Sequence, residues 1–440
     1  MSRPGRLARL IDFLRRADWL NSNRIFAWSA VLLIEEALIV GFLALWQHGV
    51  ITADASGPSS DFVSFYAAGK LALAGTPALA YDQAAHFLAE QQAATGGGYQ
   101  YFFYPPIFLM LCAVLARLPY LVAYAAFQVV TLSLFVATMG AVLRVSGWKW
   151  IVPLLAFPPV FWTLGLGQNA FLTASLFGGF TLLVDRRPLS AGALLGLLCY
   201  KPHFGLLAPV ALLAGRRWRA FAAAALMVAG LVGLSAWLFG WDTWAAYLAA
   251  FRSSNAVYGS GRIDYAGVVT LFGAARLLGV GTTQAYAVQA VAAVLMAGLI
   301  ALIWRRDMSL PVRAASLLAG TLLAVPLALL YDKLLVLLAI AWLVREARRT
   351  GFQSWEKLVL LLTWPVSLLT WPVGSNWHVP LGPLVSFAVL LMCLRRVWRA
   401  QAQTHPTQGR PTADQARAIP CQPRWKGVLR LMPPERHRSA

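Results

Sequence analysis

A chain of 440 residues that is 59% hydrophobic and 12% charged falls well below the roughly 25% charge of a soluble globular protein. The mean hydropathy of +0.64 agrees, and an all-α integral membrane protein with many spans is expected. The net charge of +20 would suit nucleic acid, but it sits in short arginine clusters between apolar runs and in the tail, where membrane orientation accounts for it and nucleic acid is not needed.

Residues 1–24 carry six arginines and two aspartates and are expected to be a cytoplasmic basic segment. The first apolar run, 25–46, is long enough to span, and no small-residue cleavage site follows it closely, so it reads as a retained span. Glu35 and Glu36 fall mid-run. Adjacent residues diverge by about 100° around a helix, so one of the two needs a partner or a proton.

The segment 47–105 is the first external loop. It holds Asp54, Asp61, Asp82 and Glu90 against a single basic residue, Lys70, in an otherwise basic chain. Ser59 and Ser60 are good N-caps, and an amphipathic surface helix to about residue 74 is predicted, with Phe62, Phe65, Tyr66 and Leu73 as its apolar stripe. Gly75 and Pro77 break it, a second short helix covers 81–94, and aromatic residues from Tyr99 to Tyr104 mark the membrane interface before Pro105 and Pro106 open the next helix.

Further spans are read at 106–118, 121–143, 150–164, 169–184, 189–213, 220–239, 283–304, 312–330, 334–344, 358–372 and 379–394, twelve in all with the first. Both ends then fall inside. The pair Arg186 and Arg187 is left outside by this count, against the positive-inside rule, unless one segment within 106–214 is re-entrant. Residues 240–282 form a second external loop, rich in Trp and Tyr and loosened by Gly259 and Gly261, which reads as a lid. Residues 395–440 are a basic, Pro- and Arg-rich cytoplasmic tail expected to be disordered. Cys112, Cys199 and Cys393 lie in apolar runs, and the four cysteines suggest neither a disulfide framework nor a metal site.

The order of Asp61 and its helix, the Gly75-Thr76-Pro77 break, Tyr81-Asp82, Tyr104-Pro105-Pro106, Gly167-Gln168-Asn169 and the stretch from Ala191-Gly192 to Lys201-Pro202 resembles glycosyltransferase family 87 over roughly residues 25–395. The resemblance implies a GT-C-type helical bundle, with 25–394 as its transmembrane domain. It also implies a polyprenyl-phosphate sugar as donor, a mannosyl or other hexosyl group as cargo, a lipid or glycan as acceptor, and Asp61 as the base. The inner membrane, with catalysis on its external face, is the expected location.

The chemistry fits one carboxylate. A base takes the proton of the acceptor hydroxyl, and the leaving phosphate needs no acid. A pair of carboxylates flanking the bond would instead suit glycoside hydrolysis. From spacing alone, Asp61 reads more readily as a complement to its helix dipole, and it is the resemblance that turns the reading towards a base. Cations for the phosphate are sought among Lys70, Lys201, Arg262 and Lys333, with His203 beside Lys201. Gln168 and Asn169 are candidates to hydrogen-bond sugar or phosphate or to cap the helix that follows, the cap being the favoured reading for Asn169, and Tyr81, Asp82 and Tyr104 are further substrate-binding candidates. No His and carboxylate cluster has zinc spacing, so no cofactor is assigned, and a divalent metal is compatible but not required. The alternative function is a transporter or lipid flippase, with Glu35, Glu36, Lys201 and Asp332 as intramembrane relay residues.

Overall fold

The computed structural model describes residues 6–47, 60–94, 97–259 and 263–404; Arg262, Asp54, Gly261 and the tail beyond 404 lie outside them. The body of the protein runs to Val397, and the residues after it form a unit of their own. Among the described residues there is no strand, only one isolated antiparallel bridge, Val268 to Leu329.

The chain opens with α1 (Arg6–Arg16), apolar along Leu7, Leu10 and Ile11 and basic along Arg9 and Arg16, and continues into α2 (Ser22–Gln47). Helix α2 buries Glu36 and exposes Glu35, the division that their angular spacing demands. Next come α3 (Phe62–Leu73), a 3₁₀ turn Pro77–Tyr81, α4 (Gln83–Ala93), α5 (Pro106–Leu115) and α6 (Tyr120–Leu143). The middle of the chain holds α7 (Ile151–Leu155), α8 (Pro158–Leu166), α9 (Ala170–Leu183), α10 (Pro188–Leu197), two 3₁₀ turns spanning Leu198–Tyr200 and Pro202–Gly205, α11 (Ala208–Ala214) and α12 (Trp218–Phe239). The last part holds α13 (Trp241–Gly259), α14 (Leu271–Leu277), α15 (Thr282–Arg305), α16 (Leu310–Ala324), a 3₁₀ turn Leu330–Lys333, α17 (Leu334–Thr350), α18 (Glu356–Trp377) and α19 (Leu384–Thr404). Prolines open α5, α8, α10 and α16, where a missing N–H costs nothing. Helices α6, α12, α15 and α18 are long and apolar enough to cross a membrane. The core is densest around α16 and α17, which are buried on nearly every face.

The basic clusters meet at one end. Asp185 accepts bonds from Arg217 at 2.7 Å and Arg313 at 2.5 Å. Arg345, close to Arg144 and Arg186, donates to the Val142 carbonyl, and Arg348 donates to that of Leu143, each at 3.3 Å. Arg396 grips Glu356 through bonds of 2.6 and 2.7 Å, and the neighbouring Trp355 N–H donates to the Arg15 carbonyl of α1 at 2.7 Å.

These contacts correct the count of twelve spans in two places. Because Asp185 touches Arg217, the predicted span 189–213 starts and finishes at the same end. It is an out-and-back excursion: α10 rises beside α12, the 3₁₀ turns form its tip, and α11 returns. The α10–α12 approach is close enough that a Cβ on Gly192 would stand 2.2 Å from the Ala220 carbonyl, so only glycine fits. The predicted span 106–118 does not cross either, because α5 doubles back along α3. The Tyr66 hydroxyl donates to the Leu118 carbonyl, and Ser60 bonds Tyr120, both at 2.9 Å. The physical reason is length: ten-residue helices such as α5 and α10 are about 15 Å long against an apolar slab of about 30 Å. The predicted span 150–164 is broken as well, since Phe157 is extended ahead of Pro158.

The surface helix predicted in the first external loop is also corrected. Phe62, Phe65 and Tyr66 are buried as the stripe requires, but so are Val63, Ser64, Ala67, Ala68 and Gly69, while Leu73 is exposed. Helices α4 and α5 cover the faces that were assigned to water, so α3 is a core helix at the end opposite the arginines.

Candidate functional site

Asp61 occupies the N-cap position of α3, yet its side chain makes no capping bond. It therefore does not serve the helix end. Instead its Oδ2 accepts a 2.7 Å hydrogen bond from Nε2 of Gln168, 107 residues further on. That bond depends on the break between α8 and α9. Gly167 closes α8 with φ of 69°, and a Cβ there would lie 2.6 Å from both the Phe62 Cβ and the Tyr124 ring, so glycine alone lets the break reach the start of α3. Gln128 of α6 donates to the Gln168 carbonyl at 3.2 Å, and the Tyr104 hydroxyl reaches Gln168 Oε1 at 3.5 Å. With its amide oxygen facing a donor, Gln168 must present Nε2 to Asp61.

Lys201 arrives from the tip of the α10–α11 excursion. Its Nζ lies 3.1 Å from Asp332 Oδ1, both side chains are buried, and the rings of Tyr331 and Phe204 stand 5.3 and 5.5 Å from the ammonium. The second Asp332 oxygen accepts the Leu329 N–H at 2.9 Å. Burial pushes the Asp61 carboxyl above the usual carboxylate range, while the Gln168 bond and the charge of Lys201 draw it back. Burial likewise holds the Tyr104 phenol protonated, and the neighbouring Asp332, Tyr200 and Asp61 add to that. Asp61, Tyr104, Gln168, Lys201 and Asp332 thus form one cluster.

The other predicted site residues are placed differently. Tyr81 sits one layer out, donating to the Tyr104 carbonyl at 2.9 Å and meeting Tyr247 of α13 edge-on at 5.7 Å. His203 lies at the same tip as Lys201, its ring against Phe204 at 4.3 Å. Lys333 is buried but turns towards α18, where Nζ donates to Thr370 Oγ1 at 2.6 Å, leaving Asp332 to face the cluster. Two residues are not brought there. Lys70 is exposed near the far end of α3, over the Tyr66 ring, and Asp82 is exposed and caps α4 by accepting the Ala85 N–H at 2.9 Å. Arg262 lies outside the described residues. In the second loop, Asp264 accepts bonds from Trp371 Nε1 at 2.6 Å and from the Ala266 N–H at 2.9 Å.

Two neighbours complete the cluster, Asn169, for which sequence reasoning favoured a cap over a sugar or phosphate contact, and Tyr200, which it did not single out. Asn169 stands at the N-cap of α9 but does not cap it; its side chain is fully buried, and neither amide atom has a hydrogen-bond partner, although the Tyr104 hydroxyl lies beside it. An unpaired buried amide atom costs about 1–3 kcal/mol. Tyr200, also buried, exchanges a 2.7 Å hydrogen bond with Thr173 and faces Tyr104 ring to ring at 6.5 Å. Both residues fall in the stretches that carry the family resemblance, Gly167-Gln168-Asn169 and Ala191-Gly192 to Lys201-Pro202, and that was the signal available for them. Among the described residues, no three His, Cys, Asp or Glu side chains gather to hold a metal ion.

The model of glycosyltransferase family 87 matches residues 102–329. No curated protein and no solved structure matches the chain. The match begins after Asp61 and ends before Asp332, but it takes in Tyr104, Gln168, Asn169, Tyr200 and Lys201, the middle of the cluster. It covers just over half of the sequence, and the chain, an all-helical membrane protein, belongs to glycosyltransferase family 87.

Proposed function

We propose that this glycosyltransferase moves a hexose, foremost mannose, from a polyprenyl-phosphate sugar to a lipid or glycan acceptor, with inversion, on the external face of the inner membrane. The observation that carries this reading is the Asp61 carboxylate, released from helix capping and aimed by Gln168 into a cluster that also holds a buried lysine. Asp61 takes the proton of the acceptor hydroxyl as that oxygen attacks the anomeric carbon. The bond from carbon to phosphate oxygen breaks on the opposite side, and the phosphate leaves as an anion. Lys201 shifts its ammonium from Asp332 towards that anion, and Asp332 holds the lysine in place between turnovers. The step as written needs no metal.

Placement favours transfer over transport. A relay would string its ionisable groups across the midplane, whereas Lys201 and Asp332 satisfy each other beside Asp61. With two predicted spans removed, ten passes remain, which keeps Arg15 of α1 and Arg396 of α19 at the same arginine-rich end, and the positive-inside rule supports reading that end as cytoplasmic. The described parts of the predicted external loops, 60–94, 97–105, 240–259 and 263–282, then lie at the opposite end, with the cluster. The test is to incubate purified protein with radiolabelled polyprenyl-phosphate mannose, glucose and galactose and a membrane lipid extract. A labelled lipid or glycan product is expected, and release of free sugar alone or no turnover from any donor would refute the reading.

A further inference from the structure

The Asn169 amide is the least satisfied group in the cluster. Its side chain is fully buried; neither Nδ2 nor Oδ1 makes a hydrogen bond of good geometry, and the Tyr104 hydroxyl beside the amide can serve only one of the two, while its backbone is firmly held: the carbonyl accepts from Thr173 Oγ1 at 3.2 Å and from the Tyr200 hydroxyl at 3.5 Å. Asn at this position normally bonds an N–H of its own helix, and here it does not. Gln168, next to it, shows what a used amide looks like in this place, with Nε2 on Asp61 and Oε1 facing the Tyr104 hydroxyl.

An amide offers a donor and an acceptor side by side, and the natural partner must offer the same pair in reverse. A phosphate presents only acceptors, and a polyprenyl chain presents neither. Two neighbouring hydroxyls of a sugar ring present both. The Tyr104 and Tyr200 rings beside the amide add apolar walls of the kind that line ligand sites. We propose that the Asn169 amide binds a pair of adjacent hydroxyls on the transferred sugar, and so sets which hexose the enzyme accepts. This rests on the donor reading given above. A site built to hydrogen-bond a hydroxyl rejects the analogue that misplaces it, because its own polar atoms are then left unpaired. Inverting one hydroxyl takes away one of the two partners.

The test compares kcat/KM for the purified full-length protein with polyprenyl-phosphate mannose, glucose and galactose, of which mannose and galactose each differ from glucose in the configuration of a single hydroxyl. The parent is expected to prefer one epimer by about 10-fold or more. Asn169→Ala is expected to lower kcat/KM for that epimer about 10- to 100-fold while barely changing the others, so that the ratio falls to within about threefold. Asn169→Asp keeps the shape and the acceptor but loses the donor. It serves if the alanine variant does not fold, and it is expected to erode the same ratio. If either folded variant slows all sugars equally and keeps the parental ratio, Asn169 is structural and the proposal is wrong. A parent that transfers all three epimers equally overturns it too. A parent that transfers none overturns the donor reading instead, and this inference falls with it.

Discussion

Replacing Asp61 by Asn separates the base from the scaffold more sharply than any other change. The variant keeps an oxygen for the 2.7 Å bond from Gln168, loses the ability to take a proton, and removes no capping bond, since none exists. Loss of a general base costs about 100- to 10,000-fold in rate, equivalent to about 2.7 to 5.4 kcal/mol in the activation barrier. Stability should move the other way, if at all. Burial raises the Asp61 pKa, which means that the folded protein penalises the ionised carboxyl, and a neutral amide relieves that penalty. Purified Asp61→Asn is therefore expected to melt at or slightly above the parental temperature while product formation at saturating donor falls at least about 100-fold. The parental rate should rise with pH as Asp61 ionises, and this acidic limb should disappear from the residual activity of the variant. Turnover within about twofold of the parent would refute the assignment of Asp61 as the base.

The buried pair Lys201 and Asp332 gives a second test. Lys201→Met leaves the Asp332 charge without its partner and should destabilise the protein by about 3–5 kcal/mol, whereas adding Asp332→Asn should recover most of the melting temperature but not the transfer rate. Parental turnover in the double variant would remove Lys201 from the reaction. In the segment between α3 and α5, burial pushes the Glu90 carboxyl up to about 7 and the His86 imidazole down to about 4. His86 Nε2 faces the Ser64 carbonyl at 3.1 Å and so donates to it, while Nδ1 stands 3.4 Å from Glu90 Oε1 and makes no hydrogen bond. The raised Glu90 pKa means that stability from this group is complete below pH 4.5 and is lost as pH rises to about 7; the melting temperature of Glu90→Gln should lack that decline, and an unchanged profile would show that Glu90 is ionised throughout. For topology, a cysteine at Lys70 should react with an impermeant thiol reagent in intact spheroplasts, while cysteines at Arg187 and Arg216 should react only after permeabilisation. Labelling at Arg187 in intact cells would break the out-and-back path of α10 and α11.

Much of the helical inventory was legible because apolar runs leave little choice of structure in lipid: α2, α6, α12 and α15 lie within a few residues of their predicted bounds. What could not be read was whether a run crosses. The segments 106–118 and 189–213 are as apolar as true spans, and only the contacts of Tyr66 with Leu118 and of Asp185 with Arg217 show that they turn back. The sequence did leave a trace of the second, in the misplaced charge of Arg186 and Arg187. For the site, Asp61, Tyr104, Gln168 and Lys201 stood out as polar residues where apolar ones were the rule. Lys70 and Asp82 shared that property and do not join them, because spacing along a chain does not report which face of a helix meets a neighbour. Asn169 was mistaken for a cap because capping is what Asn does most often at a helix start, and its missing bond is visible only in three dimensions.

The out-and-back path of α10 and α11 also bears on how the protein is made. Neither helix is long enough to be accepted by the bilayer as a span of its own, and the tip they carry holds a lysine that lipid would reject. Their supports, α12 and α15, and the Asp332 that neutralises Lys201 all lie later in the chain. Although α9, which also packs on α10, is made earlier, the Lys201–Asp332 pair cannot close until synthesis has passed residue 332, so the cluster is complete only when most of the chain is already in place. A nascent chain stopped earlier would carry its family motifs without a working centre, so the order of synthesis itself keeps an unfinished enzyme from turning over sugar.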